Sequence, residues 1–414
     1  MRYSDAYLDS LRLEGDPKPD HIIEELLAHG KYDVVHQILK ELVKPEGCEI
    51  ESFPPVVQAF LHSQELVPPH IDKQRLMRAS QFFVENVLGV YMILVTASLI
   101  ESYAVKIGVK VLQHSSRLTR DVEQRILETA RFGILIMAPD RLFADGIMAI
   151  QKIRLIHAAA RYMVLHRSKW PVEQYGVPIC QEDLLCTLLA FSYTVVQKLR
   201  ILGARINKQD AEDYMYLWQV AGEMMGIRPD AIPVNMQEAR HLYQKIRERQ
   251  FGPSAEGEEL TQVLLGAMPN LFLGGFMGRL IGKVIIPVFL PHMVGREMAE
   301  WLRIPTNSRE YLYRPLKYGL RMLDRSRRKS PSVRNLTRGI GIFLVNSFMR
   351  SVNGEGLALF SVQTHSTFEL EHYDSPQPPH IFEPYPAIEP HYSSDLNHPL
   401  DLTHATDEQQ SMGA

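Results

Sequence analysis

The residues with the clearest capacity for chemistry lie on one predicted helix, residues 145–166. Across residues 153–165 the only ionisable side chains apart from one tyrosine are Arg154, His157 and Arg161. Their spacing places them on one face of an α-helix whose remaining surface is Ile, Leu, Ala, Met and Val. In such an apolar setting an unpaired guanidinium costs several kcal/mol, so the stripe predicts a partner with roughly two negative charges.

The helix alone leaves two interpretations of this stripe open. A neutral imidazole can ligate a metal, and two flanking cations rooted about 10 Å apart can hold carboxylates, which together suit haem b with its iron and two propionates. In the alternative interpretation, Arg154 and Arg161 pair with internal Asp or Glu, and His157 is a satisfied core histidine. Only the first interpretation makes the stripe a cofactor site.

A second set of polar residues lies on the preceding predicted helix. Arg125 and Thr129 are four residues apart on one face, and Glu128 lies beside them. Taken alone, the three residues are typical of an exposed, salt-bridged helix turn. Their interest comes from the stripe that follows them.

The two signatures together resemble a known family. Arg125-x-x-x-Thr129, followed by Arg154-x-x-His157-x-x-x-Arg161, is similar to the latex-clearing-protein type of rubber oxygenase. More broadly, the chain resembles the bacterial and fungal family that groups these enzymes with MpaB-type oxygenases, long catalogued as a domain of unknown function. The resemblance covers roughly residues 75–300 and includes further similar segments at residues 97–104, 178–187 and 218–226.

The resemblance implies an oxidoreductase, a haem b-dependent oxygenase that acts with O2 on a small lipophilic, isoprenoid-like alkene. It makes His157 the axial ligand of the iron, with Arg154 and Arg161 as its cofactor-binding neighbours. It also places Arg125 and Thr129 at the haem pocket as part of the catalytic set.

The catalytic base and the substrate are less closely defined by the resemblance. Glu128 and Glu101 are both candidates for removing an allylic proton. Rubber-cleaving enzymes carry a lysine where this chain has Glu128, which replaces a cation with an anion or a neutral acid near the iron. The chain also begins without an apolar signal segment. We therefore expect a cytoplasmic protein that oxidises a smaller lipophile than rubber.

Composition excludes some partners and leaves two alternative functions. A formal net charge of −3 gives no electrostatic basis for binding nucleic acid. Residues 268–294 are apolar with glycines four apart, but charges and prolines interrupt them, which favours peripheral membrane contact over a span. One alternative is therefore a membrane-surface oxygenase of a lipid precursor. The other is a haem-free helical interaction protein with an internal Arg/His ion-pair network.

Helix signals dominate residues 19–352 and strand signals are nearly absent. We therefore predict an all-α fold, a single large multi-helix domain that encloses a haem-sized pocket. Residues 1–72 form an N-terminal helical segment packing on the core, and residues 73–352 form the haem-binding, oxygenase-like domain. Residues 353–414 form a mostly disordered tail, because the sequence from Ser375 onward is rich in Pro, His, Ser and Asp and poor in aliphatic residues.

Overall fold

The computed structural model describes residues 2–28, 34–35, 37–38, 50–63, 66–113, 122–271, 288–305 and 312–353. Across these ranges the regular structure is helical, with no β-strand and one isolated antiparallel bridge between Val105 and Phe251. The predicted all-α class is confirmed, and the described helices belong to one compact unit. The haem-sized pocket stays a prediction.

The described ranges contain eighteen α-helices. They are α1 (Asp5–Arg12), α2 (Pro17–Ala28), α3 (Pro55–His62), α4 (Lys73–Ile93), α5 (Leu99–Tyr103), α6 (Gly108–Gln113), α7 (Val122–Ile136), α8 (Pro139–Leu142), α9 (Asp145–Arg167), α10 (Val172–Tyr175), α11 (Gln181–Phe191), α12 (Tyr193–Leu202), α13 (Lys208–Met224), α14 (Met236–Gln250), α15 (Ala255–Leu271), α16 (Arg296–Trp301), α17 (Tyr313–Lys329) and α18 (Pro331–Asn353). A 3-10 turn at Ile50–Ser52 precedes α3, and a π-helical turn at Leu94–Ser98 joins α4 to α5.

Local sequence explains where several helices begin and end. The side chains of Asp72, Asn207 and Asn235 accept hydrogen bonds from backbone N–H groups in the first turns of α4, α13 and α14. These short polar residues are favoured at helix starts because they satisfy N–H groups that lack an intrahelical partner. Gly203 ends α12 with a φ of 105°, a left-handed conformation that glycine adopts without a steric penalty.

The centre of the fold is α4, which packs against α12, α13 and α18. Its buried side chains, including Leu76, Phe82, Phe83 and Val87, recur at helical spacing and remove a wide apolar face from water. Two stretches, Lys73–Tyr103 and Gln181–Leu202, are long and apolar enough to cross a membrane by length and composition. Within each, just over half of the apolar 18-residue window is buried inside the protein, which is also the pattern of a core helix.

The N-terminal helices α2 and α3 pack on α9. Buried Ile23, Leu26 and Val57 belong to the same apolar cluster as Leu155 and Ala158 of α9. The predicted boundary at residue 72 stays a prediction. The apolar segment 268–294 and the tail 353–414 fall largely outside the described residues, so the membrane contact and the disorder predicted for them stay predictions.

Candidate cofactor site

Helix α9 carries the polar stripe predicted from the sequence. The two arginines are buried, with Arg154 6% and Arg161 3% exposed, whereas His157 between them is partly exposed. The prediction that Arg154 and Arg161 are buried is therefore confirmed. Two buried guanidinium charges require negative charge close by, and two carboxylates supply it.

Arg154 is held by a carboxylate from the N-terminal segment. Its Nε and Nη2 atoms donate to the two oxygens of Asp16 at 2.7 and 2.8 Å, and Nη1 donates to Gln151 Oε1 at 3.2 Å. The guanidinium carbon also lies 5.5 Å from the ring centroid of Phe60. The two parallel hydrogen bonds match the planar guanidinium to the two carboxylate oxygens. They hold α9 against the segment before α2.

Arg161 is held by a second carboxylate and by two backbone carbonyls. Nη1 donates to Asp20 Oδ1, Nε donates to the carbonyl of Pro178 at 2.9 Å, and Nη2 donates to the carbonyl of Ile179 at 2.8 Å. Ile179 has a φ of 53°, a left-handed conformation that is costly for a β-branched residue. The bond from Arg161 helps to hold this strained turn against α9.

The two aspartates are themselves linked at the start of α2. The backbone N–H of Asp16 donates to Asp20 Oδ2 at 3.0 Å. Burial raises the pKa of Asp20 to about 6, because loss of hydration outweighs the attraction of Arg161. A Cβ atom on Gly15 would lie 2.6 Å from Asp20 Oδ2. The backbone at residue 15 can therefore lie this close to the carboxylate because the residue is glycine.

Gln181 links the backbone at Gly15 to the turn that follows α13. Its Nε2 donates to the carbonyls of Gly15 and Gly226 at 2.7 and 3.0 Å, and its Oε1 accepts from the backbone N–H of Arg228 at 2.9 Å. Gly226 has a φ of 80°, and a Cβ atom there would lie 2.5 Å from Asp16 Oδ2. The segments 178–187 and 218–226, which are far apart in sequence, therefore meet beside the two arginines.

The negative partners of Arg154 and Arg161 are thus Asp16 and Asp20, which the sequence alone does not identify. All three nitrogens of Arg154 and of Arg161 already donate to protein acceptors. For the arginines, the interpretation with internal carboxylates is the one observed. A sequence signal was present, since the two acids are four residues apart at the start of an amphipathic helix, the spacing that places them on one face.

The role predicted for His157, ligation of a haem iron, stays a prediction. In the described part of the chain no three His, Cys, Asp or Glu side chains are placed to hold a metal ion. A haem iron needs no such group, because the porphyrin supplies four nitrogens and the protein supplies an axial imidazole. His157 is partly exposed and lies on α9 between Arg154 and Arg161, whose side chains are both held by hydrogen bonds.

Helix α7, which carries the other predicted signature, packs against α9. The structure therefore brings the two signature helices together. Thr129 is exposed on α7, and the side chains of Arg125 and Glu128 lie outside the described part. The predicted placement of these three residues at a pocket stays a prediction.

Glu101, the other candidate base, is a buried and paired carboxylate. It lies on α5, directly after the π-helical turn Leu94–Ser98. Its Oε1 is 2.9 Å from Lys198 Nζ, and its Oε2 accepts from Thr194 Oγ1 at 3.2 Å. An ammonium and a hydroxyl at these distances hold the carboxylate of Glu101 in place.

Comparison with known proteins adds independent information. The family model described as "ER-bound oxygenase mpaB/B'/Rubber oxygenase, catalytic domain" matches residues 82–328, more than half of the chain. The rubber oxygenase of Streptomyces sp. (strain K30) is 27% identical over 300 residues, which cover 69% of this chain and 70% of that protein. Both findings confirm the resemblance predicted from the signatures.

A solved structure supports the fold. The structure described as latex clearing protein LCP in the closed state matches with a TM-score of 0.61 at 22% sequence identity. The match covers 84% of this chain and 92% of that chain. The similarity extends beyond the range of the family model, so the helices on either side of the catalytic region also share the architecture.

Proposed function

This chain belongs to the family of MpaB-type and rubber oxygenases and is an oxidoreductase of the oxygenase type, and from that premise we propose that it depends on haem b and uses O2 to oxidise a lipophilic alkene. The observation that carries the cofactor proposal is His157, an imidazole on α9 between two buried, fully engaged arginines. Family membership favours an enzyme over the alternative of an interaction protein, although the arginine ion pairs expected in that alternative are present.

In the proposed site, each residue of the stripe has a separate task. His157 would hold the iron of the cofactor through one ring nitrogen. Arg154 and Arg161 fix the rotation and position of α9, because their bonds to Asp16 and Asp20 leave α9 little freedom to turn. Bound haem supplies the iron chemistry that activates O2, and the protein orients the substrate and handles protons.

The proton-handling residues are proposed on α7. Glu128 is the candidate base for an allylic proton, and Arg125 and Thr129 are the candidate polar groups beside it. Glu101 is the second candidate base, and it is buried and paired with Lys198. An acid in place of the lysine of rubber-cleaving enzymes changes the charge beside the reacting centre, which favours a smaller isoprenoid-like alkene over polyisoprene.

The experiment is a comparison of substrates with haem-loaded protein under O2. We expect O2 uptake and oxidised products from short isoprenoid alkenes, and little release of carbonyl-ended oligomers from polyisoprene latex. The variant Glu128→Lys should move activity towards latex, whereas Glu123→Lys, an acid-to-lysine change on the same helix, should not. Rapid cleavage of latex by the wild type without turnover of short alkenes would contradict the substrate proposal.

A further inference from the structure

Helices α17 and α18 form a pair joined by the single residue Ser330, and they pack against each other. Helix α18 also packs on α4 through Gly341, where a Cβ atom would lie 2.6 Å from Val87 Cγ1 and 2.9 Å from the carbonyl oxygen of Val84. The side of α18 that carries Gly341 therefore packs against the core. Its opposite side faces outward.

The outward side of α18 is apolar. Leu336, Ile340 and Phe343 follow one another at spacings of four and three and form a single helical stripe, with exposures of 64%, 43% and 68%. On α17, Tyr318 and Met322 are also exposed and four residues apart. Single exposed apolar residues are ordinary, but an ordered stripe of large ones marks an interaction surface.

The same helix pair concentrates positive charge. Residues 313–353 contain ten Arg and Lys and one acid, Asp324, although the whole chain has a net charge of −3. Asp324 is buried and already pairs with Arg327 and Arg328. Outward-facing cations therefore outnumber anions on this surface. Arg314, Arg325 and Lys329 are exposed and share a face of α17 with Tyr318 and Met322.

We propose that this surface, formed by the outward faces of residues 313–343, docks on an anionic lipid bilayer. Apolar side chains interleaved with arginines suit the boundary between headgroups and acyl chains, where the apolar groups insert and the cations stay with phosphates. A second copy is a poor partner, because two faces of like charge repel. The inference does not depend on the cofactor or substrate of the enzyme.

The test is flotation of the full-length chain with vesicles of phosphatidylcholine, with or without phosphatidylserine. We expect co-flotation with the anionic vesicles, weakened by salt, because surface charges are screened. The triple variant Leu336→Ser, Ile340→Ser, Phe343→Ser should bind at least about tenfold more weakly. The matched control Leu13→Ser, Val234→Ser removes two exposed apolar residues elsewhere and should float like the wild type. Unchanged melting temperatures show that the variants are folded.

Three outcomes would overturn the proposal. The first is absence of flotation of the full-length chain, and the second is flotation that the triple variant leaves intact. The third is flotation seen only after removal of residues 354–414, which contain ten Asp and Glu and no Lys or Arg. That result would show that the acidic segment occupies the surface in the full-length chain, so that the surface does not dock on a membrane there.

Discussion

At the residue scale, the central observation is that Asp16 and Asp20 neutralise the arginines that flank His157. Sequence alone predicts that Arg154 and Arg161 are buried and need negative partners. It does not identify them, because the pairs join residues 138 and 141 positions apart, and which distant carboxylate meets a helix face is decided by tertiary packing. The arginines therefore serve the site by positioning α9.

Replacing Arg154 with Met should strongly destabilise the protein. The change leaves Asp16 buried without its cation, and breaking one partner of a buried pair costs about 3–5 kcal/mol. Chemical denaturation with circular dichroism measures the free energy of unfolding. The matched control is Arg247→Met, which breaks the exposed pair with Glu297 and should cost no more than about 1 kcal/mol. Equal effects of the two variants would contradict the buried pairing.

Asp20 should make stability depend on pH. Burial raises its pKa from 3.8 to about 6 in the folded protein, so the folded state binds a proton between these values more readily than the unfolded state. The contribution of Asp20 to stability therefore rises as pH falls from 7 to 5. The wild type should gain roughly 1 kcal/mol more than Asp20→Asn over this interval. Parallel pH profiles of the unfolding free energy would rule this out.

At the element scale, the turn after α13 brings together segments that are far apart in the sequence. Gly226 approaches Asp16 with a left-handed backbone, and Gln181 bonds both to its carbonyl and to that of Gly15. In the sequence these segments were recognisable by resemblance only. In the folded protein they share one role, which is to hold the carboxylates of Asp16 and Asp20 against α9. Only the packing of the helices shows this role.

Gly226→Ala should therefore be damaging for two reasons. The new methyl group would lie 2.5 Å from Asp16 Oδ2, and the φ of 80° disfavours a residue with a Cβ atom. We expect a loss of about 1–3 kcal/mol in the free energy of unfolding. Gly266→Ala is the matched control, since that glycine lies within α15 with nothing within 4 Å of the added atom, and it should stabilise by about 0.5–1 kcal/mol. Comparable destabilisation by both changes would contradict the account of the turn.

At the scale of the whole molecule, helical periodicity and the scarcity of strand signals were enough to predict an all-α domain. The π-helical turn at Leu94–Ser98 and the buried pairing of Glu101 with Lys198 were not predictable in the same way. Both depend on how α4 and α5 pack against α12, which a local pattern of apolar residues does not specify.

Removal of residues 375–414 should leave the folded body unchanged. The prediction rests on composition, because a segment poor in aliphatic residues buries too little apolar area to offset the entropy of ordering. Thermal unfolding of the truncated and full-length chains should give the same melting temperature within error. A clear drop in the truncated chain would show that the segment packs on the body.

The central claim is that His157 ligates haem iron, and the absorption spectrum of protein prepared with ample haem tests it most directly. We predict about one haem per chain for the wild type, and loss of the haem or of its normal Soret band in His157→Ala. The control is His166→Ala, which removes an exposed histidine of the same helix and should leave the spectrum unchanged. A His157→Ala protein that is folded, fully loaded and spectrally identical to the wild type would contradict the claim.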